Sequence, residues 1–171
     1  ERVMRIGMKV LKAKYHLCAA ARIVLYKVLF GNRFVCGKGT TFRRNFNVYL
    51  EDGDARIKLG ENCFFNHSCS LNALSEIEIG GGCIFGENVK VYDHNHRFAD
   101  STQQIKEQGY TTAPVKIGRH CWFGSNVVVL KGTKIGDNCV IGAGCVIAED
   151  IPNNSIVTMD RQLVIRPIRN P

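Results

Sequence analysis

Ile117-Gly-Arg-His-Cys-Trp122, Phe123-Gly-Ser-Asn-Val-Val128, Val129-Leu-Lys-Gly-Thr-Lys134, Ile135-Gly-Asp-Asn-Cys-Val140, Ile141-Gly-Ala-Gly-Cys-Val146 and Ile147-Ala-Glu-Asp-Ile-Pro152 follow one another without a gap. Each unit of six opens on an aliphatic or aromatic residue, usually followed by glycine, and the fifth place is small or medium-sized. The same phase runs upstream through Leu59-Gly-Glu-Asn-Cys-Phe64, Phe65-Asn-His-Ser-Cys-Ser70 and Leu71-Asn-Ala-Leu-Ser-Glu76. After a two-residue slip it continues through Ile79-Gly-Gly-Gly-Cys-Ile84 and Phe85-Gly-Glu-Asn-Val-Lys90 to Val91. A strand alternates its faces with period two, and Gly or Asn in a turn takes positive φ cheaply. The opening residue and the fifth residue therefore point into one narrow interior. Three units make a triangular coil, and stacked coils continue the core. The expected fold is all-β: a parallel β-solenoid.

The solenoid is interrupted once at length. After Val91 come Tyr-Asp-His-Asn-His-Arg-Phe98, and the repeat returns only near Lys116. Two histidines, an aspartate and an asparagine open this loop, so residues 92–116 are the place to look for chemistry. Residues 35–58 hold the phase poorly and read as an irregular first turn. The organisation is then a basic amphipathic segment over 1–34, a solenoid domain over 35–157, and a tail over 158–171.

Composition narrows the function. The 171 residues carry a net charge of +8, which resembles a nucleic-acid signal until it is located. Residues 1–34 hold eight basic side chains against one acidic, and the remainder fifteen against fourteen. A nearly neutral body is no nucleic-acid groove, and no nucleic-acid partner is expected. Of eight cysteines, Cys63, Cys69, Cys83, Cys121, Cys139 and Cys145 fall at the fifth place, and no C-x-x-C occurs. They read as reduced, buried thiols of a cytoplasmic protein rather than as disulfides or a metal ladder. Residues 1–30 read as a helix, with Met4, Met8, Leu11, Tyr15 and Cys18 at helical spacing. Its apolar run over residues 21–30 is too short to span a bilayer and is interrupted by Arg22 and Lys27. Either it packs over the solenoid or against a partner subunit, or it makes a peripheral contact with an anionic membrane at the inner face.

The repeats, with Asp93-His-Asn-His-Arg-Phe98 and Ile117-Gly-Arg-His-Cys-Trp-Phe-Gly-Ser125, resemble the hexapeptide-repeat, left-handed β-helix acyltransferases over residues 57–157. The similarity is to the maltose, galactoside and capsular-polysaccharide O-acetyltransferase branch. Left-handedness comes from the resemblance, since crossovers are otherwise right-handed. The resemblance implies a homotrimer with sites between subunits, acetyl-CoA as co-substrate, a saccharide acceptor, and a role in surface polysaccharide biosynthesis. It makes His94 the catalytic base and the Ser125 backbone N–H the oxyanion donor. His96, Asn66, Ser68, Asp93 and Trp122 would contact the acceptor, while Gly124, Ser125, Gly142, Ala143 and Arg166 would line the CoA groove. No metal is implied. At Ala148-Glu149-Asp150-Ile151-Pro152 the chain departs from its relatives, placing an acid where they carry a lysine at the nucleotide.

The chemistry has its own logic. A sugar hydroxyl must lose its proton as it attacks a thioester, and imidazole suits that transfer near neutral pH. The tetrahedral oxyanion needs a preorganised donor. Two other functions fit the same scaffold. A zinc hydratase of the gamma carbonic anhydrase kind needs a histidine pair spaced farther apart than His94-x-His96. A non-catalytic solenoid would bind a partner through its N-terminal helix. His67, His120 and His16 read as surface residues, and Cys121 as a buried thiol rather than a nucleophile.

Overall fold

Period six becomes three short strands per coil. A computed structural model describes residues 2–51 and 53–160. The first coil holds β1 (Phe34–Cys36), β2 (Thr41–Phe42) and β3 (Asn47–Leu50), and the second β4 (Arg56–Leu59), β5 (Phe64–Phe65) and β6 (Ser70–Ala73). The third holds β7 (Glu76–Ile79), β8 (Ile84–Phe85) and β9 (Lys90–Tyr92). A hairpin of β10 (His94–His96) and β11 (Tyr110–Thr112) then leaves the solenoid. The fourth coil is β12 (Val115–Ile117), β13 (Trp122–Phe123) and β14 (Val128–Val129), and the fifth β15 (Lys134–Ile135), β16 (Val140–Ile141) and β17 (Val146–Ile147). A bridge from Ile135 to Ile151 and β18 (Ile156–Val157) begin a sixth.

Three parallel faces result. They run β1-β4-β7-β12-β15, then β2-β5-β8-β13-β16-β18, then β3-β6-β9-β14-β17. The first coil is more regular than its sequence suggests. Phe42 pairs with Phe65 and Val48 with Leu71, so the phase already holds from Cys36. It was hidden because buried Phe46 fills the fifth place, where later coils carry something smaller.

The places of the hexad divide the work. Positive φ belongs to the fourth place, at Asn62, Ser68, Asn88, His120, Asn126 and Asn138 among others. The second-place glycine answers a different need. A Cβ on Gly124 would come within 2.5 Å of the Ala143 nitrogen, and one on Gly86 within 2.7 Å of the Ser125 nitrogen. Glycine there lets neighbouring coils touch backbone to backbone. The fifth place does more than fill space. Cys63, Cys69, Cys83 and Cys121 each donate their thiol, at 3.1 Å, to the carbonyls of Gly80, Gly86, Gly118 and Gly136 one coil on. Thr40 does the same to Gly60 at 2.7 Å. A carbonyl turned inward at a corner would otherwise be buried without a donor, which costs about 1–3 kcal/mol.

Opening residues of the second face stack as an aromatic column. Phe65 and Phe85 lie 4.3 Å apart and Phe85 and Phe123 4.6 Å, both nearly parallel. Helix α1 (Arg2–Phe30) covers the first coil. Ala19 and Tyr26 of this helix are buried, and the Tyr26 hydroxyl donates to the Phe46 carbonyl at 3.1 Å. Its other side leaves Val10, Leu17, Val24 and Val28 exposed. No helix among the described residues is long and apolar enough to cross a membrane.

Candidate active site

The loop after Val91 is pinned at its root by Asp93. This side chain is fully buried, and its two oxygens accept the Leu74 and Ser75 backbone N–H groups at 2.9 and 2.7 Å. Leu74 and Ser75 form the corner between β6 and β7, in the stretch where the repeat runs two residues long, and this corner receives the carboxylate. Adjacent strand residues normally point apart, yet His94 Nδ1 lies 3.1 Å from Asp93 Oδ1. The chain turns out of the third face at Asp93, and the Ala113 N–H closes the root by donating to the Asp93 carbonyl at 2.8 Å. Asp93, which the sequence placed among the acceptor contacts, is instead fully buried with both oxygens engaged, and serves here as a support. A carboxylate can only accept, so the Nδ1–H tautomer is assigned and Nε2 keeps its lone pair.

His94 retains 15% side-chain exposure and sits between Tyr92 and Tyr110, with ring centroids at 6.1 and 5.4 Å. His96 is exposed and lies 4.5 Å from Tyr110. The register of the hairpin sets these neighbours, pairing His94 with Thr112 and His96 with Tyr110. Neither tyrosine was singled out in the sequence. An aromatic opening the loop's return strand was the available signal.

The other expected residues lie elsewhere. Asn66-His67-Ser68, Gly86-Glu87-Asn88, Gly124-Ser125-Asn126 and Gly142-Ala143-Gly144 stack as one edge of the prism, between the second and third faces. Asn66 uses its Oδ1 to accept its neighbour His67's N–H, and Ser68 occupies a left-handed turn with φ of 62°. Trp122 stands outward beside this edge, 54% exposed, flanked by Ile84 and Val140. His120 is exposed on a different corner, and Cys121 is committed to the Gly136 carbonyl. Arg166 lies outside the described residues.

One glycine-led peptide on this edge is unusual. In the glycine-led corners a thiol or hydroxyl usually takes the carbonyl, and several following N–H groups are bound by Ser125 Oγ, Asp137 or Asn153. At Gly124–Ser125 neither the carbonyl nor the N–H has a partner among the described residues. Val89 is the reason for the first: it holds the fifth place below Gly124, where a cysteine would have donated. The sequence had marked the Ser125 N–H but not the free carbonyl.

His94 and this peptide do not meet within one chain. The hairpin leaves the corner between the third and first faces, and Trp122 belongs to the second face, across the triangular section. Among the described residues, no three His, Cys, Asp or Glu side chains gather as a metal site.

These features define a class, parallel β-solenoid transferases with a histidine loop. A family model described as bacterial transferase hexapeptide (six repeats) matches residues 114–149. A maltose O-acetyltransferase from Clostridium difficile 630 is 33% identical, with 81% of this chain and 72% of that one covered and a TM-score of 0.60. A hexapeptide-repeat-containing acetyltransferase from Vibrio cholerae O1 biovar eltor, solved with acetyl coenzyme A, is 25% identical over 80% of this chain and 70% of that one, with a TM-score of 0.65. A probable acetyltransferase of Mycobacterium tuberculosis is 35% identical over 60% of this chain and 34% of its own length. The chain belongs to the hexapeptide-repeat acetyltransferases, whose left-handed β-helix it adopts. It spans less than two thirds of the curated relatives it matches.

Proposed function

We propose that the protein is an O-acetyltransferase that moves an acetyl group from acetyl-CoA to a saccharide hydroxyl. The observation that carries this reading is the Asp93–His94 pair, a half-buried imidazole held by a fully buried carboxylate. The acceptor hydroxyl gives its proton to His94 Nε2 as its oxygen bonds to the thioester carbonyl carbon. The Asp93 carboxylate supports the imidazolium so formed. The oxyanion takes the Ser125 N–H, a donor that no group among the described residues competes for. Collapse then breaks the carbon–sulfur bond, and the imidazolium returns its proton to the thiolate. No acyl-enzyme forms, which agrees with Cys121 being engaged in the core.

Since the two halves stand on opposite sides of one chain, the site is completed between neighbouring copies of a trimer. Trp122 walls it, Asn66, Ser68 and His96 contact the sugar, and Gly124, Gly142 and Ala143 line the CoA groove. Surface polysaccharide is the expected destination, with the enzyme working in the cytoplasm or against the membrane through residues 1–30. His94→Ala should lower acetyl transfer by about 10²–10⁴-fold, followed by thiol release from acetyl-CoA. The assembly should keep its size on a sizing column. Near-normal turnover in that variant would sink the reading.

A further inference from the structure

An open cavity of about 560 Å³ lies between α1 and the Arg43-Arg44-Asn45 corner of the first coil. Lys14 and Arg22 reach it from the helix and Arg43 and Arg44 from the corner, while no carboxylate is among its described lining residues. None of these four cations has an ion-pair partner among the described residues. Two are nevertheless held in place. Arg22 donates to the Phe46 carbonyl at 3.0 Å, and Arg43 lies over the Tyr15 and Phe64 rings at 5.5 and 5.6 Å. Lys14 and Arg44 stand exposed beside them. Leu11 and buried Phe42 supply an apolar part of the wall. Four like charges converging on an uncharged floor favour an anion there.

The position gives that anion a purpose. The corner sits directly over Asn66-His67-Ser68, since the Ser68 N–H donates to the Arg44 carbonyl at 3.0 Å and Tyr15 meets the His67 ring at 6.0 Å. From Arg44 to Ser125 is three coil steps along one edge, roughly 14 Å at the usual strand spacing. That distance suits a short glycan lying along the edge.

We propose that this cavity binds the phosphate or diphosphate of a phospho-linked saccharide acceptor whose reacting hydroxyl lies at the Gly124–Ser125 peptide. Guanidinium and ammonium groups supply charge-assisted bonds to phosphate oxygens, and the apolar wall takes whatever the phosphate is esterified to. What happens at the far end rests on the acyl-transfer reading; the anion site rests on the cavity alone.

The test is calorimetry on the full chain with inorganic pyrophosphate, uridine diphosphate and farnesyl diphosphate, each in the presence of saturating CoA, with acetyl-CoA titrated separately. In Lys14→Ala/Arg44→Ala the diphosphate affinity should fall by about tenfold or more, with acetyl-CoA affinity unchanged. Tighter farnesyl diphosphate points to a lipid-linked acceptor and tighter uridine diphosphate to a nucleotide-linked one. Equal affinities leave the diphosphate itself as the recognised group, and all three outcomes support the site. Wild-type protein that binds none of them, a double variant that binds them as well as wild type, or a parallel loss of acetyl-CoA binding overturns it. Failure to bind acetyl-CoA at all would instead count against acyl transfer and leave the diphosphate measurement standing.

Discussion

Asp93 shows how much one side chain does here. It closes the Leu74–Ser75 corner with both oxygens and orients His94 with one of them. Asp93→Asn presents an amide N–H₂ to a backbone N–H, so two effects should appear together. Stability falls by about 1–3 kcal/mol, read from the urea midpoint. The transfer rate falls by about 10²-fold beyond what loss of folded protein explains; a rate that tracks the folded fraction alone would assign Asp93 a purely structural role. Cys69 carries a pH prediction. Burial pushes its thiol from the ordinary 9.0 up to about 11, and burial does the same to Cys36. Between those values the unfolded chain has lost a proton that the folded chain keeps. Stability is therefore full below about pH 9 and declines through about pH 11, on the order of 2 kcal/mol for Cys69. Urea midpoints at about pH 8 and 10.5 measure it, and Cys69→Val should flatten the decline. His94 could be picked out as a candidate from the sequence because a titratable residue in a break of a repeat stands out. The partnership with Asp93 could not, since it depends on where the chain leaves the sheet.

Among elements, the corner columns explain why the repeat has the composition it does. Thiols and Thr40 at the fifth place serve as donors to the coil beyond, so cysteine is there for its S–H as well as its size. Cys121→Ala should cost about 1–3 kcal/mol by stranding the Gly136 carbonyl, while Cys121→Thr keeps a donor and should cost less. Thermal or urea unfolding of the two variants checks the order; Ala matching Thr would show that the thiol is merely filler. The period and the strand order were legible because six residues set both faces and corners. The first coil was less so, since Phe46 under α1 breaks the size rule without breaking the phase. The unpaired Gly124–Ser125 peptide was legible only in part, because its free carbonyl follows from Val89 in a neighbouring coil, thirty-five residues away in the chain.

For the whole molecule, the proposed site takes His94 from one copy and Trp122 from its neighbour. A mixture of His94→Ala and Trp122→Ala chains, each impaired alone, should recover activity on co-assembly. At equal mixing about a quarter of the sites join an intact histidine to an intact tryptophan. Purified, co-refolded material assayed for acetyl transfer tests this, and mixtures no better than either parent would place both residues of a site on one chain. Sequence resemblance suggested a shared site; the proposal keeps it because the hairpin and the second face lie across the prism from each other.

The second-place glycines have one last consequence. At Gly86 and Gly124 neighbouring coils lie so close that a Cβ would collide with the next backbone, so the coils stack at the spacing of their strands. Heights along the edge are therefore quantised, with a tick of about 4.8 Å. A groove built this way is a ruler. Adding or removing one whole coil between Arg44 and Ser125 would lengthen or shorten what the edge can measure by one tick, while every corner kept its own chemistry.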